Sequence, residues 1–171
     1  MDLIAGLPAL VKWIAHNGAQ LTLSQYGDYP GDYRTIVLRS SRASTFDLRF
    51  RIPSWTSSPS ITINGIPTPL TVQRGFASIK RTWHDNDRIF LKLPMPLRLE
   101  AIDTRHPDTV ALLHGPMVLF NIHAECPSIT RQELLSASYQ PSSGLWKASS
   151  MFFNYFIALG NLSYTTYQKV T

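Results

Sequence analysis

Three groups of residues have types and spacings that chemistry could use. His123-Ala124-Glu125, followed by Cys126-Pro127, sets an imidazole, a carboxylate and a thiol side by side. In a zinc deaminase such a run supplies a metal ligand and a proton-transferring glutamate, but the metal also needs a P-C-x-x-C pair. Cys126 is the single cysteine. It can build neither that site, nor a multi-cysteine structural zinc site, nor an intrachain disulfide. A strand-end histidine beside a buried thiol is the simpler reading. Asp85, Asp87, Glu100, Asp103, Asp108 and Glu125 are the candidates for an acid pair acting on a glycosidic bond. Such a pair must stand a few ångströms apart across a sugar, and linear spacing brings no two of them together. Asp85 and Asp87 flank a turn residue, Asn86, where a carboxylate bonded to nearby backbone N–H groups is the plainer role. No G-x-S-x-G elbow and no glycine-rich run opening a helix is present. No catalytic residue, metal ligand or cofactor-binding residue is assigned, and no cofactor is expected.

The aromatic residues offer a softer chemistry. Trp55, Trp83 and Trp146, with Tyr26, Tyr29 and Tyr33, have flat faces on which the C–H faces of sugar rings can pack, and they keep a polar handle. Trp55 and Trp83 stand at strand ends and Tyr29 in a turn, where the binding loops of a sandwich gather. These three are the candidate carbohydrate contacts. The competing role, closing the end of a hydrophobic core, is the commoner one for a strand-end tryptophan.

The elements that would position these residues are strands. In Phe46-Asp47-Leu48-Arg49-Phe50-Arg51-Ile52 apolar and charged residues alternate, the period of a strand with one buried face. Phe46, Leu48, Phe50 and Ile52 then point inward, and Pro53 ends the strand because it cannot donate to the ladder. Leu21–Ser24, Ile36–Arg39, Ser60–Ile63 and Ile89–Leu93 read the same way. Asn64-Gly65 is a type I′ hairpin signal. Tyr29-Pro30-Gly31-Asp32, Ser57-Ser58-Pro59 and Gly115-Pro116 are turns. Asn86, between a strand ending near Arg81 and one starting near Arg88, is expected in the left-handed region. Helical signals are sparse: a short helix within Leu3–Ile14, and a turn or two at Thr130–Leu135, where Thr130 and Glu133 form a capping box. Ser136–Ser150 reads as a loop returning the chain for a last strand. Many short strands between closely spaced turns predict an all-β protein, an antiparallel β-sandwich of jelly-roll type with at most short helices.

Of the 171 residues, 44% are hydrophobic and 16% charged, which excludes disorder and leaves room for an exposed apolar patch suited to another domain. The net charge of +5 raises the prospect of anionic partners. The arginines do not cluster, however; Arg39, Arg49 and Arg51 occupy the polar positions of alternating strands. Nucleic acid is therefore not expected as a partner, although a basic β-fold that stacks single-stranded nucleic acid on its aromatics is the natural alternative on charge alone. No stretch reaches the roughly 18 apolar residues of a membrane span, and no membrane partner is expected. The N-terminal run lacks a basic region and is interrupted by Pro8, so it does not read as a signal peptide, and a cytoplasmic location is the default.

Three segments in order carry a family resemblance. Phe50-Arg51-Ile52-Pro53-Ser54-Trp55 comes first, then Ile61-Thr62-Ile63-Asn64-Gly65. The third is Arg81-Thr82-Trp83-His84-Asp85-Asn86-Asp87-Arg88-Ile89-Phe90-Leu91-Lys92-Leu93-Pro94-Met95. Together they resemble the β-sandwich region of glycoside hydrolase family 127, the β-L-arabinofuranosidase-like family. Val11–Trp13 and Leu21–Pro30 look like its opening strands, Val110–Val118 its A-L-x-x-G-P segment, and Tyr164–Val170 its closing strand. Two departures are Asn86, where the family has glycine, and a shorter Glu125–Phe156 region. The resemblance implies a sandwich that follows an (α/α)6 barrel, with the catalytic glutamates and a cysteine-rich zinc site in that barrel; no position here matches them. It implies a middle-type β-sandwich domain over 1–99 and a C-terminal β region over 100–171 that completes or extends it. The implied role is non-catalytic: packing on and supporting the helical-barrel catalytic domain, which this chain lacks. A plant-type oligosaccharide is a further candidate partner, as for a carbohydrate-binding module.

Overall fold

The computed structural model describes residues 2–3, 9–27, 31–122 and 127–171. Tyr29, His123, Glu125 and Cys126, and the first half of the turn expected at Tyr29–Asp32, lie outside them. The chain divides into two units, Met1–Pro94 and Met95–Thr171. Both are built almost wholly of antiparallel strands.

The first unit contains β1 (Asp2–Leu3), β2 (Ala9–Ile14), β3 (Gln20–Tyr26), β4 (Tyr33–Ser40), β5 (Ser44–Arg51), β6 (Ser60–Ile63), β7 (Ile66–Thr68), β8 (Val72–Gln73), β9 (Phe76–Trp83) and β10 (Asp87–Lys92). They form a four-stranded sheet in the order β1-β5-β9-β8 and a six-stranded sheet in the order β2-β3-β4-β10-β6-β7. The inward rows of both sheets make one core. Leu21, Leu23, Ile36, Leu38, Ile61, Ile63, Ile89 and Leu91 come from the larger sheet; Leu48, Phe50, Ala77, Ile79 and Trp83 come from the smaller. The alternation works as expected on β5, where Leu48 and Phe50 are buried while Asp47 and Arg49 are exposed, and Ile52 is buried just before Pro53. Each such large apolar side chain contributes about 1.5–3 kcal/mol when fully buried.

Turn chemistry fixes the connections. Asn64 (φ 52°) and Gly65 (φ 81°) close the β6–β7 hairpin, pairing Ile63 with Ile66. Asn86 has φ 65°, the left-handed residue of the link from β9 to β10. Those strands are sequence neighbours but belong to different sheets, so this link crosses the sandwich. The short helix expected within Leu3–Ile14 is not formed over its described second half: Ala9–Ile14 is β2, an edge strand paired antiparallel with β3 from Ala9–Gln25 to Ile14–Gln20. Its neighbour along the chain, β3, offers a full-length ladder, and tertiary pairing outweighs weak local propensity.

The second unit contains β11 (Leu97–Ala101), β12 (Thr109–His114), β13 (Met117–Asn121), α1 (Arg131–Leu135), β14 (Ser138–Gln140), β15 (Leu145–Ala148), β16 (Met151–Tyr155), a 3-10 turn at Phe156–Ala158, and β17 (Tyr167–Lys169). Its single sheet runs β11-β12-β13-β16-β15-β14, and β17 joins it alongside β12. One edge of β12 is shared: Leu112–His114 pair with β13 and Thr109–Ala111 with β17. Gly115 (φ 56°) turns the β12–β13 hairpin. α1 has the expected capping box, with the Glu133 N–H donating to Thr130 Oγ1 and the Thr130 N–H donating to the Glu133 carboxylate. Leu134 is its buried residue and joins Val110, Leu112, Leu119, Met151 and Phe153 in a second core. Ser136–Ser150 is not a loop: it holds the β14–β15 hairpin, pairing Tyr139 with Trp146. The division between the units falls at Pro94/Met95 rather than 99/100 because β11 spans 97–101 as one strand, laddered to β12 from Leu97–His114 to Ala101–Val110.

Candidate functional site

The three residues singled out for carbohydrate contact have different fates. Trp83 is fully buried, with 0% of its surface exposed. Its indole Nε1 donates to the Phe46 carbonyl at 3.1 Å, and its ring lies 5.9 Å from that of Phe46. It closes the core and has no face free for a ligand. Trp55 is half-buried on the link after β5 and packs against the first core. Tyr29 lies outside the described residues. The structure therefore does not unite them. Tyr26 and Tyr33 are exposed on the outer face of the six-stranded sheet, where Tyr33 packs on Phe90 at 5.0 Å. Trp146 belongs to the second unit, 4.6 Å from the His114 ring.

The carboxylates hold structure locally. Asp87 is buried; it accepts from the His84 N–H at 2.9 Å and from Asn64 Nδ2 at 2.7 Å, with Arg81 at 4.0 Å. Asn64 in turn accepts from the Arg88 N–H through Oδ1. The β6–β7 turn and the crossing link are thus tied together by one buried carboxylate. Asp85 accepts from the Ser40 N–H at 2.9 Å and pairs with Arg39 at 3.6 Å. These are the side-chain-to-backbone roles expected around Asn86. In the second unit Glu100 pairs with Arg98, Asp108 with Arg131, and Asp103 with His106 and two backbone N–H groups. The His106 hydrogen bond holds the exposed Asp103 carboxyl below its ordinary range. Among the described residues no three His, Cys, Asp or Glu side chains gather in a metal-binding cluster.

One polar and aromatic constellation escaped sequence reading. Beside the β2–β3 turn lies a cleft of about 600 Å³ lined by Trp13–Asn17 and Ala43–Asp47. The Trp13 and Phe46 rings meet edge to face, 5.8 Å apart at 86°. Asn17, exposed in the turn, joins the two stretches: Nδ2 donates to the Ala43 carbonyl and Ser44 Oγ, both at 3.1 Å, and Oδ1 accepts from the Ala19 N–H at 3.1 Å. Sequence offered no signal for this grouping, because its two walls are about 30 positions apart and join only when the ends of both sheets are in place. The nearest clue was the tryptophan on β2, which lay inside the stretch read as helical.

Comparison with known proteins follows the fold. Residues 8–95, just over half the chain and nearly all of the first unit, match the family model described as Beta-L-arabinofuranosidase, GH127 middle domain. No curated protein matches. Solved structures do. A crystal structure of a GH127 β-L-arabinofuranosidase from Geobacillus stearothermophilus T6 matches over 99% of this chain and 34% of its own, at 19% identity and a TM-score of 0.77. A structure described as a glycoside hydrolase matches 96% of this chain and 34% of its own, at 20% identity and 0.67. A GH127 β-arabinofuranosidase matches 99% of this chain and 35% of its own, at 17% identity and 0.65. At these identities the likeness is one of fold, and it extends through the second unit. The chain spans about a third of the length of the structures it matches.

Proposed function

The chain belongs to the GH127 β-L-arabinofuranosidase family through its middle domain, and from that premise we propose that it is the non-catalytic β-sandwich part of such a glycoside hydrolase. Its work is to pack on and support a helical-barrel catalytic domain lying outside these residues. The carrying observation is the family match, which falls on the sandwich of the first unit and is to a middle domain. An apolar surface supports the reading. On the outer face of the six-stranded sheet Leu10, Tyr26, Tyr33 and Phe90 are exposed, and Phe90, Thr35 and Tyr26 lie in one cross-strand row. Apolar surface of this kind is characteristic of a face that meets another domain.

The experiment is reconstitution. The purified chain is mixed with the barrel domain of a GH127 enzyme made without its own sandwich regions. Co-elution on size exclusion, with a rise in barrel stability or turnover, is the expected result. Barrel and chain that elute apart, with barrel behaviour unchanged, would sink the supporting role. Turnover of an arabinofuranoside by the chain alone would sink the non-catalytic reading.

A second reading is carbohydrate contact through Trp55 and Tyr29, favoured by the incomplete burial of Trp55. Its test is quenching of tryptophan fluorescence by plant-type oligosaccharides. If the response survives Trp55→Phe unchanged, Trp55 is not the contact.

A further inference from the structure

We propose that Asn161 is an acceptor for N-linked glycosylation, and that its glycan shields the apolar loop on which it stands. Of the asparagines in the chain, only Asn161, in Asn161-Leu162-Ser163, is followed two positions on by a hydroxyl residue, with no proline between. That is the tripeptide a transferase of the secretory lumen reads, and it must lie on a surface loop to be used.

The structure presents it on such a loop. Asn161, Leu162 and Ser163 are all exposed and belong to no strand. They lie in the stretch from Phe156 to Tyr164, within the link from β16 to β17. Its base is closed by aromatic rings. Phe156 and Tyr164 meet at 6.1 Å and 89°, and both pack on Phe120 of β13, at 5.8 and 5.0 Å. Just beyond, Thr165 and Asn121 exchange backbone hydrogen bonds of 2.9 Å. In the middle, the Leu159 N–H donates to the Phe156 carbonyl and the Leu162 N–H to the Leu159 carbonyl, with Leu159 buried. Gly160 turns the chain with φ 56°. Asn161 thus stands near the middle of a short exposed loop anchored at both ends, a place that tolerates a bulky addition.

Its side chain is also unengaged. The side chains of Asn17, Asn64, Asn121 and Asn154 take part in hydrogen bonds within the protein; those of Asn161 and Ser163 make none among the described residues. The donor is a polyprenyl-pyrophosphate-linked oligosaccharide. The Asn161 Nδ2–C1 bond to its first N-acetylglucosamine forms as the C1–O bond breaks; polyprenyl pyrophosphate leaves, and one amide proton passes to a base of the transferase. On a chain that stays in the cytoplasm the same asparagine remains bare.

The loop has surface to cover. Phe156, Ile157, Leu162 and Tyr164 are exposed, Ile157 to 88%, and no charged residue occurs from Phe156 to Tyr164. A glycan lays hydroxyl-rich surface over them, and the C–H faces of its first sugars have exposed rings to pack on.

The test is to make the full chain in yeast behind a secretion leader, whose cleavage reports entry to the lumen. Intact mass is read before and after peptide N-glycosidase F on leader-cleaved chain from membranes and medium alike. The expected result is added mass that the enzyme removes, mapped to Asn161 by peptide mass spectrometry and lost in both Asn161→Gln and Ser163→Ala. An apolar dye should bind Asn161→Gln about twofold more than the glycosylated chain, and adding Ile157→Ser should reverse the gain. Leader-cleaved chain without enzyme-sensitive mass would overturn the site, as would such mass persisting in Asn161→Gln. Equal dye binding by the two forms would overturn the shielding. These readouts use the chain alone, so none of them touches the supporting role, which stands or falls with the reconstitution.

Discussion

The two units solve the same problem differently. In the first, two sheets face each other, and every long strand hides one row of side chains and exposes the other. β5 is the clearest case, with Leu48 and Phe50 buried while Asp47 and Arg49 are exposed. In the second, one sheet carries the whole unit, a single helical turn covers part of it through Leu134, and β12 is buried on both faces from Val110 to Leu113. The two cores are separate groups of residues. Among the described residues the groups with displaced pKa values, Asp103, Glu133 and Tyr155, all belong to the second unit. The sandwich is held by pattern, and the single sheet by particular side chains at its ends. Sensitivity to mutation and to pH should divide accordingly.

The largest effect should come from emptying either core. Trp83→Ala removes the biggest buried side chain of the first unit and its bond to the Phe46 carbonyl; Phe153→Ala does the same service in the second. Each should cost about 3–5 kcal/mol. Hydrogen exchange read by mass spectrometry should show protection lost within the mutated unit and kept in the other. Loss in both units at once would mean that they unfold as one body, and the contrast drawn above would fail.

Asp87→Ala comes next. It leaves the His84 N–H and Asn64 amide without their buried acceptor, a loss of about 1–3 kcal/mol. Urea unfolding should register it in the first unit alone.

Two tests sharpen the electrostatic side of the contrast. Burial pushes the Tyr155 phenol up, so the folded state favours its neutral form. That stability is complete below the ordinary tyrosine pKa of about 10 and declines as the pH rises beyond it. Thermal melts between neutral and alkaline pH should show the second unit weakening. Tyr155→Phe should remove that component, at the expense of the 2.7 Å bond to His114 Nδ1, which costs about 1 kcal/mol. At the acid end, hydrogen bonds from the Thr130 backbone and side chain hold the Glu133 carboxyl below its usual value. Its contribution is present above the ordinary carboxylate range and fades as the pH falls through the folded value. Thr130→Ala removes the helix cap, for about 1 kcal/mol, and should flatten the acid side of the melting profile.

The smallest effect belongs to Asn86. With φ at 65°, glycine is suited to the position, so Asn86→Gly should change stability by no more than about 0.5 kcal/mol. Asn86→Val should cost clearly more, because a β-branched residue strains in that region. Differential scanning calorimetry of the pair is the measurement.

Legibility followed the same divide. β3, β4, β5, β6 and β10 were readable because each presents one apolar and one polar face, and the Asn64, Asn86 and Thr130 signals were local. β2 was readable only through the family resemblance at Val11–Trp13, not from its pattern, since Leu10 and Ile14 on its outer face are as apolar as Val11 and Trp13 on the other. The β14–β15 hairpin was lost among serines, because only Tyr139 and Trp146 mark it as a pair. Nor does alternation say which sheet a strand joins, so the crossing between β9 and β10 reads in sequence like any turn. Of the candidate carbohydrate contacts, the strand-end position of Trp83 was legible but its orientation was not. The cleft gathers residues from β2 and β5, and no local pattern links them.

The shared edge of β12 has a consequence for the order in which the chain can be made. β3 to β10 find every partner by Lys92, so the sandwich can close while later residues are still on the ribosome. The second unit has no such freedom. Thr109–Ala111 wait for Tyr167–Lys169, and until those residues emerge, half of one β12 edge stays without its strand. The late arrival of β17 makes this unit the slower and more vulnerable partner during synthesis. A nascent chain stalled before Tyr167 should expose that edge to proteases and chaperones, while the sandwich ahead of it is already closed.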